Sequence, residues 1–206
     1  MKALHYILQY KIIAIIRGVK PKDVLPIVAS LHEGGIKIVE ITLNSEDALE
    51  LISKLSSVMK NKMLIGAGTV LDVKSAKAAA KHGAQFIISP SLDINVVKFA
   101  NQKKLVSIPG AFTATEIVEA HKAGADIVKV FPAPSPRYIK DLQGPLSHIR
   151  MMPTGGINLE NIDQFKKAGA VAFGVGSSLI NTEAQIIKES LRQLSQKANQ
   201  FVEMIK

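Results

Sequence analysis

The chain has 206 residues, no cysteine and no tryptophan, and 26 Lys and Arg against 17 Asp and Glu leave a formal charge of +9. That length suits one domain spanning 1–206, and the lack of cysteine excludes disulfides, thiolate metal sites and cysteine nucleophiles. No stretch approaches the roughly 20 apolar residues of a membrane span, and the lysines are scattered with few aromatics between them, so neither a membrane nor a nucleic acid is an expected partner.

Residues 2–10 are expected as a short N-terminal helix. Lys11 and Arg17 bracket the apolar run Ile12–Ile16. No small-residue cleavage site follows it, so it reads as a buried strand and not as a secretory signal. Further apolar runs follow at Ile36–Leu43, Met63–Ile65, Phe86–Ile88, Leu105–Ile108, Ile127–Phe131, Ile149–Met152 and Val171–Val175. Most lack polar alternation, as strands covered on both faces do, and amphipathic helical patterns fill the gaps. Gly35, Gly83, Gly124 and Gly169 each stand between a helical pattern and the next strand, the left-handed position past a helix end. A second series, Gly66-Ala67-Gly68, Gly110 and Gly155-Gly156, is expected just beyond strands. Eight βα units in this length predict an α/β chain folded as a small (β/α)8 TIM barrel, with an open doubly wound sheet as the runner-up. An amphipathic segment from Glu183 to Ile205 closes the chain, with Ile187, Leu191, Leu194, Ala198, Phe201 and Ile205 on one stripe.

In such a barrel the chemistry sits at the C-terminal ends of the strands. Two polar residues interrupt apolar strands there. Lys129, within Ile127–Phe131, is either a strand-end lysine whose ammonium reaches solvent, the commoner case, or a buried amine whose lowered pKa makes it a nucleophile. Glu40 shares a strand face with Ile38 and Thr42, as Lys129 does with Ile127 and Phe131. Both strands are even-numbered, so both side chains fall in one interior layer. The pair is either a buried ion pair or a proton-transferring carboxylate beside an amine nucleophile. Gly155-Gly156 after the seventh strand and Gly176-Ser177 after the eighth are placed to bind a phosphate through backbone amides. The five histidines are isolated, so no metal and no cofactor is expected.

Several segments, in order along nearly the whole chain, carry a resemblance. They are Gly34–Leu43, Gly66-Ala67-Gly68-Thr69-Val70, Ile88-Ser89-Pro90, Pro109-Gly110, Lys129-Val130-Phe131-Pro132-Ala133 and Pro153–Ile157. With them the chain resembles the bacterial 2-keto-3-deoxy-6-phosphogluconate (KDPG) and 4-hydroxy-2-oxoglutarate (KHG) aldolases. The resemblance implies Lys129 as the Schiff-base lysine and Glu40 as the general acid/base. It also implies Thr69 at the pyruvate moiety, Phe131 lining the pocket, Pro90 among the substrate-binding residues, Ser177 with Gly155, Gly156 and Gly176 at the phosphate, and assembly as a homotrimer. Many members carry an arginine for the substrate carboxylate shortly after the glutamate. Here that position is Asn44, and Arg17, which follows the first strand, is expected to take the role.

These implications make the expected protein a cytoplasmic, metal-free class I aldolase acting on a small phosphorylated keto acid. The other readings are an aldolase for the galactonate epimer, a phosphate-binding barrel isomerase and a non-catalytic phosphosugar-binding protein.

Overall fold

The computed structural model describes residues 2–182 and 185–206. Helix α1 (Lys2–Tyr10) leads into β1 (Ile12–Ile16), α2 (Pro21–Glu33), β2 (Ile38–Thr42), α3 (Ala48–Val58), β3 (Leu64–Gly68), α4 (Val73–Lys81), β4 (Phe86–Ile88), α5 (Ile94–Gln102) and β5 (Val106–Ile108). The chain continues through β6 (Gly110–Ala111), α6 (Ala114–Lys122), β7 (Val128–Val130), α7 (Pro136–Leu146), β8 (Met151–Pro153), α8 (Ile162–Lys167), β9 (Phe173–Val175) and α9 (Lys188–Ile205).

The strand pairs are parallel and form a six-stranded sheet, β5-β4-β3-β2-β1-β9, and a three-stranded sheet, β6-β7-β8. Among the described residues the strand pairing does not close into the single eight-strand ring expected from the sequence: nine strands form two sheets. Pro109 causes the division, because a proline between β5 and β6 has no N–H to give to a ladder. Its carbonyl still accepts the Lys129 N–H at 2.9 Å, and the Ser107 carbonyl accepts the Ile127 N–H at 3.3 Å. At the other seam the Val171 N–H donates to the Met151 carbonyl at 3.0 Å, and Thr154 forms an isolated bridge with Gly174.

Strand alternation separates two apolar cores. One side of each strand packs against the helices, with Val39, Ile41, Ile65, Ile87, Val128 and Val130 in that cluster. The other sides converge on an interior of Ile13, Ile38, Leu64, Phe86, Val106, Ile127, Met152 and Ala172, joined by Ile7 of α1. Helix α1 thus closes the N-terminal end of the strands, as its amphipathic sequence leads one to expect. Gly35, Gly83, Gly124 and Gly169, the expected helix stops, all have φ between 95° and 99°.

Two boundaries differ instructively from expectation. Gly66-Ala67-Gly68 lies inside β3 and not in the loop after it, because both glycines point into the interior where side chains from other strands need the room. A Cβ on Gly66 would stand 2.4 Å from the Phe86 ring. In α9, Ala198, Phe201 and Ile205 are buried as the stripe predicts, but Ile187 is the N-cap and is 56% exposed, and Glu183 lies outside the described residues. The helix docks on the end of α2, where a Cβ on Gly34 would come within 2.3 Å of the Ser195 carbonyl oxygen.

Gly66→Ala tests the packing. The added methyl overfills the interior against a fully buried ring, and a loss of about 1–3 kcal/mol or more is expected from the urea unfolding midpoint. An unchanged midpoint would show that Phe86 has room to move.

Candidate active site

One residue further along the inward series of each strand, the interior changes character. Above Ile38 stands Glu40, above Ile127 stands Lys129, and above Met152 stands Thr154. On the neighbouring strands the same level is occupied by Gly66 and by Gly174, so space is left around the polar groups. A Cβ on Gly68 would lie 2.8 Å from the Glu40 carboxyl carbon, and one on Gly174 would lie 2.3 Å from Thr154 Oγ1. Glycine at these positions is what admits the polar side chains to the interior.

Lys129 is 3% exposed and Glu40 is 1% exposed, so the ammonium does not reach solvent by snorkelling. Nζ of Lys129 stands 4.8 Å from the centroid of the Phe131 ring. Burial pushes the Lys129 pKa down; the Glu40 charge opposes that shift, and the Arg17 charge adds to it. Burial pushes the Glu40 pKa up, against the attraction of Lys129 and Arg17. Both shifts favour the neutral forms, an amine with a free lone pair and a protonated carboxyl able to give a proton. The ion pairs among the described residues are all surface pairs within one helix, so Glu40 and Lys129 act on one another through the interior without a direct salt bridge. Oε2 of Glu40 and Oγ1 of Thr154 are buried without a hydrogen-bond partner among the described residues.

Arg17 emerges directly from β1 into the same cavity as Lys129. The turn behind it is held by the β2–α3 loop. Ser45 Oγ accepts the Gly18 N–H at 3.0 Å and shares a 2.9 Å hydrogen bond with Thr42 Oγ1. Nη2 of Arg17 donates to Thr69 Oγ1 at 3.4 Å. Thr69 itself has φ 57°, a left-handed conformation that is costly for a β-branched residue and is found where function or surroundings enforce it. Asn44 lies exposed in the turn after β2 and does not line the cavity.

The cavity has a volume of about 660 Å³, within the range of small-molecule sites, and Lys129, Arg17 and Phe131 share it with Gly155, Gly156, Gly176 and Ser177. The backbone N–H groups of Gly155, Gly156, Ser177 and Ser178 donate to no carbonyl among the described residues and remain available to an anion. The Ser178 hydroxyl is already engaged with the Ile157 carbonyl. Pro90 is not in this cavity. It lines an adjacent one of about 510 Å³ with Gly110 and Phe112, and Phe131 borders both. No group of three or more His, Asp or Glu side chains able to hold a metal ion occurs among the described residues. Sequence reading missed Thr154 and Asn158, both of which line the main cavity. The signal for Thr154 was present: it is a polar residue two positions past an interior-facing Met152, the same pattern that singled out Glu40 and Lys129.

The raised Glu40 pKa has a pH signature. Above 4.5, the ordinary carboxyl value, the unfolded chain releases a proton that the folded chain still holds. Glu40 therefore costs stability increasingly as pH rises from that value through its raised folded value. Urea midpoints of the parent and Glu40→Gln, taken from about pH 4 to about pH 8, are expected to show the parent falling relative to the variant. A difference that stays constant with pH would mean that Glu40 ionises normally.

Comparison with known proteins identifies the family. The model of the KDPG and KHG aldolase family matches residues 5–196. The chain is 36% identical over 194 residues to the 2-dehydro-3-deoxy-6-phosphogalactonate aldolase of Escherichia coli (strain K12), covering 93% of this chain and 92% of that one. It is 35% identical over 158 residues to a 2-dehydro-3-deoxy-phosphogluconate aldolase of Pseudomonas aeruginosa, covering 75% and 71%. A solved native KDPGal structure superposes with a TM-score of 0.87 at 35% identity, over 94% of this chain and 93% of that one. This chain, with a lysine and a glutamate buried at one level of its interior, belongs to the KDPG and KHG aldolase family and is a lyase of the aldolase type.

Proposed function

We propose that the protein is a class I, metal-independent aldolase that cleaves 2-keto-3-deoxy-6-phosphogluconate to pyruvate and glyceraldehyde 3-phosphate, with Lys129 as the Schiff-base residue. The observation that carries this reading is the buried amine of Lys129, lowered in pKa and set beside Phe131 in a cavity that also holds a cation and free backbone amides.

The neutral Nζ of Lys129 adds to the C2 ketone, and loss of water gives a protonated imine. Glu40 becomes a carboxylate by giving its proton to the departing hydroxyl of the carbinolamine, and then takes the proton of the C4 hydroxyl, directly or through a water. The C3–C4 bond then breaks with its electron pair passing to the iminium, which leaves an enamine on Lys129 and releases the aldehyde. Protonation of the enamine at C3 and addition of water free pyruvate and restore the amine. A carboxyl with a raised pKa suits both the removal and the return of the proton. Arg17 holds the substrate carboxylate with Thr69, in place of the arginine that Asn44 replaces. Gly155, Gly156, Gly176 and Ser177 hold the phosphate. Pro90, behind Phe131 in the adjacent cavity, acts by supporting that ring.

The two sheets serve as one (β/α)8 barrel in a single domain, with the Pro109 interruption and the Thr154–Gly174 bridge as its seams. The resemblance supports a cytoplasmic homotrimer. The galactonate epimer is the second reading of the substrate. It is favoured by the 36% identity over 92% of a phosphogalactonate aldolase, and cleavage rates on the two epimers and on 4-hydroxy-2-oxoglutarate decide among the three.

Borohydride reduction in the presence of pyruvate, followed by peptide mapping, is expected to leave a pyruvyl adduct on Lys129. A folded, pyruvate-saturated sample with no adduct would end the imine reading. Glu40→Gln is expected to fold and to lose at least about 10²-fold in kcat, as proton-transferring groups do. Thr154→Val removes a buried hydroxyl that has no partner among the described residues. It is expected to leave the melting temperature unchanged or higher while lowering kcat/KM about tenfold through loss of a substrate hydrogen bond. Unchanged kinetics would assign Thr154 to packing alone.

A further inference from the structure

Lysines that are dispersed along the sequence are gathered in space. Each βα unit returns the chain to the same end of the strands, so one connection from every helix to the next strand lies on the face opposite the cavity. Those connections, each with the last one or two residues of the helix before it and taken with α1, are residues 2–11, 32–37, 57–63, 81–85, 101–105, 121–127, 146–150 and 166–172. They contain twelve of the 26 Lys and Arg but only two of the 17 Asp and Glu, namely Glu33 and Asp126, and all five histidines. Pairs such as Lys60 and Lys62, Lys103 and Lys104, and Lys166 and Lys167 recur at this end. One of the two acids is engaged internally: Asp126 Oδ2 accepts the Ser107 N–H at 2.9 Å. The rest of the chain holds fourteen cations against fifteen acids, so the net charge resides on this face.

Helix C-termini attract cations, but not this many. Eight helices, α2 to α9, end here, the last bringing Lys206 and Glu203, which pair with one another, and at about −0.5 each their dipoles amount to about −4. An excess of ten positive charges is more than twice what complementation of those dipoles calls for.

The face also carries the larger of the two main cavities, an open cleft of about 740 Å³ between α1 and the ends of α3 and α4. Lys2, Lys60, Lys81 and His82 line it, and no Asp or Glu does. The Ser53 and Ser57 hydroxyls also line it and make no hydrogen bond among the described residues. His82 Nδ1 is held by the Ala78 carbonyl at 2.8 Å, which leaves Nε2 for the cleft.

We propose that this cleft is a second binding site, remote from the catalytic cavity, for a small molecule carrying two or more phosphate or carboxylate groups. The cations neutralise the ligand, the two serine hydroxyls supply neutral hydrogen bonds, and the field of the whole face raises the local anion concentration and the rate of capture.

Inorganic pyrophosphate is the probe, titrated at low salt while amide NMR shifts are followed over the whole chain. Saturable shifts are expected at Ser57, Lys60, Asn61 and Gly83, separate from any at Gly155 and Gly156. In Lys60→Glu/Lys81→Glu the cleft shifts are expected to weaken about tenfold or more in apparent affinity, with those at Gly155 and Gly156 and the aldolase kcat unchanged. Lys60→Ala/Lys81→Ala provides the same comparison should charge reversal disturb folding. Three outcomes would overturn the proposal. These are shifts confined to Gly155 and Gly156, non-saturating shifts of equal size around the whole face, and binding of a single-stranded oligonucleotide by a protein on which pyrophosphate has no effect.

Discussion

A parallel sheet wrapped by helices has a dry interior, and an ionisable group placed there must either lose its charge or be compensated. This protein puts an amine and a carboxyl at the same depth, 3% and 1% exposed, with no direct salt bridge between them. A salt bridge would fix both groups as ions and would deprive the amine of its lone pair. Separation within a low-dielectric interior does the opposite, because desolvation outweighs the mutual attraction at each group. The rest of the site follows from that placement. The ring of Phe131 shields the amine, and the charge of Arg17 keeps the local potential positive.

The burial is possible because of how the interior is layered. The N-terminal half is filled by branched and aromatic side chains and closed by Ile7 of α1. The next level is opened by glycines whose missing side chains are filled by polar groups from other strands, Glu40 against Gly68 and Thr154 against Gly174. Stability and reactivity are therefore assigned to different depths of one core. On the proposed function, substitutions in the lower layer act on folding, whereas those in the upper layer act on chemistry.

Much of this was legible in the sequence. A lysine and a glutamate interrupting apolar strands of the same parity sufficed to place them together, and the four helix-ending glycines took up the left-handed conformation that their position implied. What escaped reading depended on partners far away along the chain. Gly66 and Gly68 look like a turn locally and are strand residues only because Phe86 and Glu40 need their space. The division of the sheet at Pro109 depends on which neighbour lacks a donor, which a single strand does not reveal. Pro90, expected among the substrate-binding residues, lies across Phe131 from the main cavity. The even spread of lysines, taken from the sequence as absence of a basic surface, is the linear projection of a concentrated one.

That concentration also gives the molecule a direction. With its excess charge at one end of the strands and a nearly neutral remainder, the protein is an electric dipole lying along the strand axis, with the cavity mouth at the opposite pole. In front of any anionic body it turns its helix-to-strand connections forward and keeps the mouth toward solution. The excess charge and the mouth of the cavity therefore occupy opposite poles of the protein, and neither obstructs the other.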